Sequence, residues 1–195
     1  MNKLNICVDI DGTITAPYTW VEDANKYFKT KITEKDVTKY EIHEVLGVSR
    51  ESYLEFYQRH GEKLHLEASP RIYAKYGLDT INIMHNLYYV TARQKNMENV
   101  TRKWFIKENL PKGELFLLGS HYKVEKAKEL NCDIFIEDRY ENAIQLATAG
   151  FEVLLMDCRY NRMPVIPGIT RVFNWQEVIM EIDRYQKEKI IKQTA

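Results

Sequence analysis

The chain has 195 residues, 45% apolar and 29% charged, with 28 basic side chains against 28 acidic ones. This suits one globular domain, or one domain carrying a modest insert. The zero balance gives no basic footprint for a nucleic-acid polymer, yet leaves a single nucleotide open as a ligand, because a pocket needs only local charge.

The N-terminus MNKLNICVDID carries an aspartate where a signal peptide would still be apolar. No apolar run approaches the roughly 20 residues of a membrane span, so a cytoplasmic protein with no membrane partner is expected. After the first apolar run, residues 4–10, further runs follow at 87–90, 115–118, 134–136, 153–156 and 171–173. Several show little alternation, as strands buried on both faces of a parallel sheet do. Between the first two runs there is almost no strand signal. Residues 49–60 read as a helix with Tyr53, Phe56 and Tyr57 on one side and Gly61 as its stop. Ser69-Pro70 reads as an N-cap and first helical position of a helix to about residue 84. A helix over 94–109 places Met97, Val100 and Trp104 on one face, and one over 140–149 does so with Ala143, Ile144 and Ala147 before Gly150. The last helix opens with Asn174 and Glu177 in a capping-box-like pair, and its apolar stripe is Trp175, Val178, Ile179, Ile182 and Tyr185. The charged tail after Gln186 is expected to fray. The fold class is therefore α/β, an open parallel Rossmann-like sheet formed by 1–15 and 69–195, with a small helical cap, 16–68, inserted after strand 1. Cys7, Cys132 and Cys158 lack the spacing of a zinc site or disulfide framework and are expected as reduced thiols.

The strongest chemical signal is Asp9-Ile10-Asp11-Gly12-Thr13. It ends the first strand, where open α/β sheets place ligand crevices, and residues two apart on a strand share a face. Three weaker signals have the same address: Thr91 after the second run, Lys123 beyond the third, and Glu137-Asp138 after the fourth. Three acidic groups around one crevice ask for a hard cation with oxygen ligands, and magnesium fits because it also takes water and substrate phosphate. A lysine and a hydroxyl suit phosphate oxygens. A carboxylate nucleophile would give an acyl-phosphate, and a second carboxylate could exchange the proton.

In this order, DIDGT, YYVTAR, YK and FIEDR resemble the motifs of the haloacid dehalogenase-like superfamily of phosphatases, over about residues 1–15 and 70–160. The resemblance implies Asp9 as nucleophile, Asp11 as general acid/base, and Thr91 and Lys123 as phosphate-binding residues. It implies that Mg2+ is held by Asp9, the main-chain carbonyl of Asp11, and Asp138, with Glu137 close by. An aspartate at position 11 favours phosphoryl chemistry over dehalogenation. The helical insert and NCDIFIEDRYENA resemble the 5'(3')-deoxyribonucleotidase and bacterial nucleotidase branch, from which Thr13 departs.

A small phosphorylated substrate, a nucleotide first, is the implied partner. A phosphatase or phosphomutase for a sugar phosphate and a non-catalytic phosphate-binding module are the alternatives. A signalling receiver would carry its acids in the reverse order. Lys126, one turn beyond Lys123, is its rival. Arg93 is placed either on substrate or in an ion pair with an acid. The aromatics of the insert either stack on a base or form its own core, and Tyr18 and Trp20, soonest after the nucleophile loop, are the candidate substrate contacts.

Overall fold

The computed structural model describes residues 3–194. Among them, six strands form one parallel sheet: β1 (Asn5–Val8), β2 (Asn86–Thr91), β3 (Glu114–Leu117), β4 (Ile134–Glu137), β5 (Glu152–Met156) and β6 (Ile169–Val172). Their order is β3-β2-β1-β4-β5-β6, so the expected open α/β sheet is observed. Helices α1 (Val21–Phe28), α2 (Ile42–Leu46) and α3 (Arg50–Glu67) lie between β1 and β2, followed by α4 (Ala74–Met84). The remaining helices are α5 (Glu98–Lys107), α6 (Val124–Glu129), α7 (Tyr140–Thr148) and α8 (Trp175–Thr194).

Both faces of the sheet are covered, which is why its strands read as continuous apolar runs. Ile6 and Val8 of β1, Ile134 and Ile136 of β4, and Leu154 and Met156 of β5 pack with Leu78, Trp104, Trp175 and Val178 under α4, α5 and α8. The alternate positions Cys7, Phe135, Val153 and Leu155 pack with Val124, Ala127, Ala143 and Leu146 of α6 and α7. The chain leaves β1 toward β2 and β3, then returns to the opposite side as β4. That reversal opens a crevice at the C-terminal ends of β1 and β4. Cys7, Cys132 and Cys158 are free and buried. Among the described residues no helix is long and apolar enough to cross a membrane.

Three local expectations are corrected. Helix α3 does not stop at Gly61 but runs on to Glu67. A Cβ on Gly61 would stand 3.3 Å from the ring of Tyr57, one turn earlier in α3, and 3.4 Å from the Met97 side chain. Helix α4 begins at Ala74, not at Pro70. Residues 69–71 are instead stitched to the chain leaving β1: Ala16 N donates to Ser69 O (2.8 Å), Arg71 N donates to Ile14 O (2.7 Å), and Thr15 pairs with Pro70. The tail after Gln186 does not fray, since α8 continues to Thr194 with Lys189 paired to Asp133 and Arg184 to Glu188. The start of α8 is as expected: Asn174 Oδ1 accepts from Glu177 N at 2.9 Å.

Candidate active site

Parallel pairing carries on one residue past β1, because Asp9 N donates to Ile136 O at 2.9 Å. This sets Asp9 beside the end of β4. Lys123 is the residue before α6 and only 1% exposed; its Nζ donates to Asp9 Oδ1 at 2.5 Å and to Glu137 Oε2 at 2.7 Å. Glu137 also accepts from Arg139 N (3.1 Å) and Asn142 Nδ2 (3.2 Å), so its lone pairs are largely committed to protein donors. Asp138 accepts from the Tyr160 hydroxyl and, at 3.4 Å, from Thr13 Oγ1. Asn161 Nδ2 bonds both Asp138 O (2.6 Å) and Met156 O (2.8 Å), tying the β4 and β5 ends together. Gly12 has φ +80°, and a Cβ there would lie 2.3 Å from Asp138 Oδ2. Only glycine fits such a close approach without strain.

Carboxylate oxygens of Asp9, Glu137 and Asp138 lie within 4.8 Å of one another, and all three residues are buried. Burial pushes the Asp9 carboxyl well above its usual range; Lys123 opposes the rise, and Glu137, Asp138 and Asp11 add to it. Burial and Glu137 push Asp138 up to about 7. Lys123 is raised despite its burial, because Asp9 and Glu137 surround it. One ammonium among three carboxylates leaves negative charge uncompensated, and an all-oxygen donor set in that state fits a hard divalent cation.

Asp11 turns the other way. Burial alone would raise its carboxyl, but Arg93 and His65 hold it well below the usual carboxylate range. Arg93 donates to Asp11 through Nε (2.8 Å) and Nη2 (2.6 Å). The Arg93 expectation thus resolves as an ion pair, with Asp11 as its acid. Thr91, 1% exposed at the end of β2, accepts from Arg93 N at 3.2 Å.

These groups line one cleft of about 490 Å³ that also includes Trp20, Tyr40, Tyr53, Tyr57 and His65 from the 16–68 segment. Asp9, Asp11, Thr91, Arg93, Lys123, Asp138 and Trp20 are therefore brought together. Tyr18 is not among the residues lining the cleft: its hydroxyl accepts from Arg159 N (2.9 Å), and its ring meets edge-on that of Tyr160, which does line it. Lys126 pairs with Glu129 and covers the Phe116 ring, away from Asp9. The aromatics divide. Tyr27, Phe28 and Phe56 cluster around Ala24 as a local core, while Tyr40 lies 4.2 Å from the Arg139 guanidinium and edge-on to His121 and Tyr160. Sequence reasoning missed His65, Tyr160 and Asn161, which lie far along the chain from the acids they touch and carry no spacing signal.

Residues 2–187 match the family described as 5' nucleotidase, deoxy (pyrimidine), cytosolic type C protein. A nucleotidase of Clostridium acetobutylicum is 47% identical over 192 residues, covering 98% of this chain and 100% of the relative. A haloacid dehalogenase-like family hydrolase of Streptococcus pneumoniae superposes with a TM-score of 0.68 at 13% identity, over 92% of this chain and 98% of that one. A haloacid dehalogenase-like family hydrolase of Xanthomonas campestris does so with a TM-score of 0.66 at 8% identity, over 95% and 97%. At such identities the two structures speak for the fold.

Proposed function

The chain belongs to the deoxy (pyrimidine) cytosolic type C family of 5' nucleotidases, and from that premise we propose that it is a Mg2+-dependent phosphomonoesterase acting through an aspartyl-phosphate on (deoxy)nucleoside monophosphates. The observation that carries this reading is Lys123 bridging Asp9 and Glu137 next to Asp138, at the shared C-terminal edge of β1 and β4.

Asp9 Oδ attacks phosphorus, the bond to the leaving oxygen breaks, and that oxygen takes a proton from Asp11. Asp11 has first to acquire that proton, from the preceding water attack or from solvent, because its Arg93 pair is that of the ionised carboxylate. Water then attacks phosphorus, the bond to Asp9 breaks, and the proton lost by water passes to Asp11. Lys123 holds Asp9 in line and faces the phosphoryl oxygens, assisted by Thr91. Glu137, already committed to Lys123, Arg139 and Asn142, orients the lysine. Asp9, Asp138 and the Asp11 carbonyl would hold Mg2+. When bound there, the ion offsets the carboxylates and draws charge from the phosphoryl group. Residues 16–68 serve as a cap that closes the cleft over the leaving group, on the core formed by 1–15 and 69–195. Trp20, Tyr53 and Tyr57 supply its aromatic wall.

The test is phosphate release from a panel of nucleoside monophosphates and sugar phosphates, with magnesium and with EDTA. Magnesium-dependent release from deoxynucleotides is expected. Full activity in EDTA would overturn the metal assignment, and preference for a sugar phosphate would overturn the nucleotide assignment.

A further inference from the structure

The Arg93 side chain is only 1% exposed, and its fork is spent inside the protein. Besides the two bonds to Asp11, its Nη1 donates to Thr101 Oγ1 at 2.9 Å, and its guanidinium carbon lies 5.9 Å from the centre of the Trp104 ring. Both partners belong to α5, and Thr101 Oγ1 in turn donates to Met97 O at 2.7 Å. A guanidinium fixed in this way is a rigid template rather than a mobile substrate clamp. On the other side of Asp11, His65 Nδ1 stands 3.5 Å from Oδ1, and its Nε2 is 2.6 Å from the Tyr57 hydroxyl. Both of these residues lie on α3. The Asp11 side chain is nonetheless 45% exposed to the cleft. A carboxylate has about four lone-pair sites, and the Arg93 fork takes two of them. His65 faces the Oδ1 edge, and the exposed remainder of the carboxylate is open to the cleft.

We propose that Arg93 and His65 are positioning residues for the second half of the reaction, holding the Asp11 carboxylate aligned toward the cleft as acceptor of the proton that the attacking water loses. This rests on the aspartyl-phosphate reading above. In the step concerned, the water oxygen bonds to phosphorus, the phosphorus–Asp9 oxygen bond breaks, and the water proton goes to Asp11. The two Arg93 bonds grip both oxygens of Asp11, so the carboxylate cannot rotate about its own axis. Arg93 fixes the plane of the carboxylate from the core, and His65 fixes its edge from the 16–68 segment. The alignment therefore needs α3 in place.

The experiment uses p-nitrophenyl phosphate with saturating magnesium, mixed rapidly with wild type, Arg93→Met and His65→Gln. The nitrophenolate leaves without needing a proton, so its first turnover reports attack by Asp9 alone, while steady turnover reports water attack. In the variants the first turnover is expected at the wild-type rate, with steady turnover at least about tenfold slower, since misplacing a catalytic group by about 1 Å costs on the order of a hundredfold. Labelled phosphate should accumulate on the protein after acid quench. In an Asp11→Asn background the same substitutions should slow turnover no further. Equal slowing of both phases, or a rise in KM alone, would overturn the proposal while leaving the phosphatase reading intact. Absence of magnesium-dependent turnover in the wild type would overturn both. Should Arg93→Met not fold, His65→Gln carries the test, because among the described residues the His65 ring bonds only the Tyr57 hydroxyl of its own helix and faces Asp11.

Discussion

Asp9 and Lys123 are the pair on which the proposed chemistry turns. Asp9→Asn keeps the size and most hydrogen bonding of the side chain but removes the nucleophile. Turnover should fall to background while the unfolding temperature changes little, as phosphate release and thermal melting would show. Lys123→Met is expected to behave differently. The lysine is the only cation bonded to Asp9 and Glu137 among the described residues. Removing one partner of a buried pair typically costs about 3–5 kcal/mol, so this variant should lose both activity and stability. Added magnesium should restore part of the stability and none of the activity, a split that denaturant titration with and without the ion would reveal. Most of the acids were legible because they end apolar runs. The Arg93–Asp11 pair was legible only as one of two options, since no spacing rule tells which of several carboxylates an arginine will meet across 82 positions.

Among the elements, α4 and α8 meet at a glycine. Gly77 is buried in α4, and a Cβ there would lie 2.4 Å from the Trp175 ring. Trp175 is itself fully buried, and its Nε1 is held by Thr13 O at 3.3 Å, so the ring has nowhere to move. Gly77→Ala gains up to about 1 kcal/mol of helix propensity, but overpacking a fixed core typically costs about 1–3 kcal/mol. The net expectation is destabilisation, read from urea unfolding at constant m-value. Element boundaries were legible where local chemistry set them, as at Ser49 and Asn174, whose side chains accept from Ser52 N and Glu177 N. They were misread where a distant partner set them. Ser69-Pro70 has the local chemistry of a helix start, yet pairing with residues 14–16 keeps that stretch extended.

For the molecule as a whole, the buried acids make stability depend on pH and on metal. The folded Asp138 carboxyl, pushed up to about 7, keeps its proton across a range in which the unfolded chain, at an ordinary 3.8, has lost it. Its contribution to stability is fully present below about 4 and is lost as the pH rises through about 7. Burial shifts Asp9 in the same direction. In EDTA the unfolding temperature should therefore fall between these limits. On the proposed reading magnesium would bind the ionised carboxylates of the folded state, so it should raise the unfolding temperature most at the upper end; at a hundred times the dissociation constant the gain is roughly 2.7 kcal/mol. An unfolding temperature insensitive to magnesium at pH 8 would sink the idea that these acids form a metal site.

By itself, the sequence determined the parallel α/β sheet, the place of the helical segment after β1, and the strand-end address of Asp9, Thr91 and Asp138. These follow from apolar periodicity and from the rule that side chains at strand ends converge at a topological switch point, both of which act over short stretches of chain. Only the tertiary structure decided that Lys123 rather than Lys126 reaches Asp9, that Glu137 is committed to that lysine, and that Tyr160 and Asn161 brace Asp138. It alone put His65 beside Asp11 and the Tyr18 hydroxyl on Arg159 N. Such pairings depend on how separate elements pack, and a side chain's partner across the fold leaves no periodic mark on the residues around it.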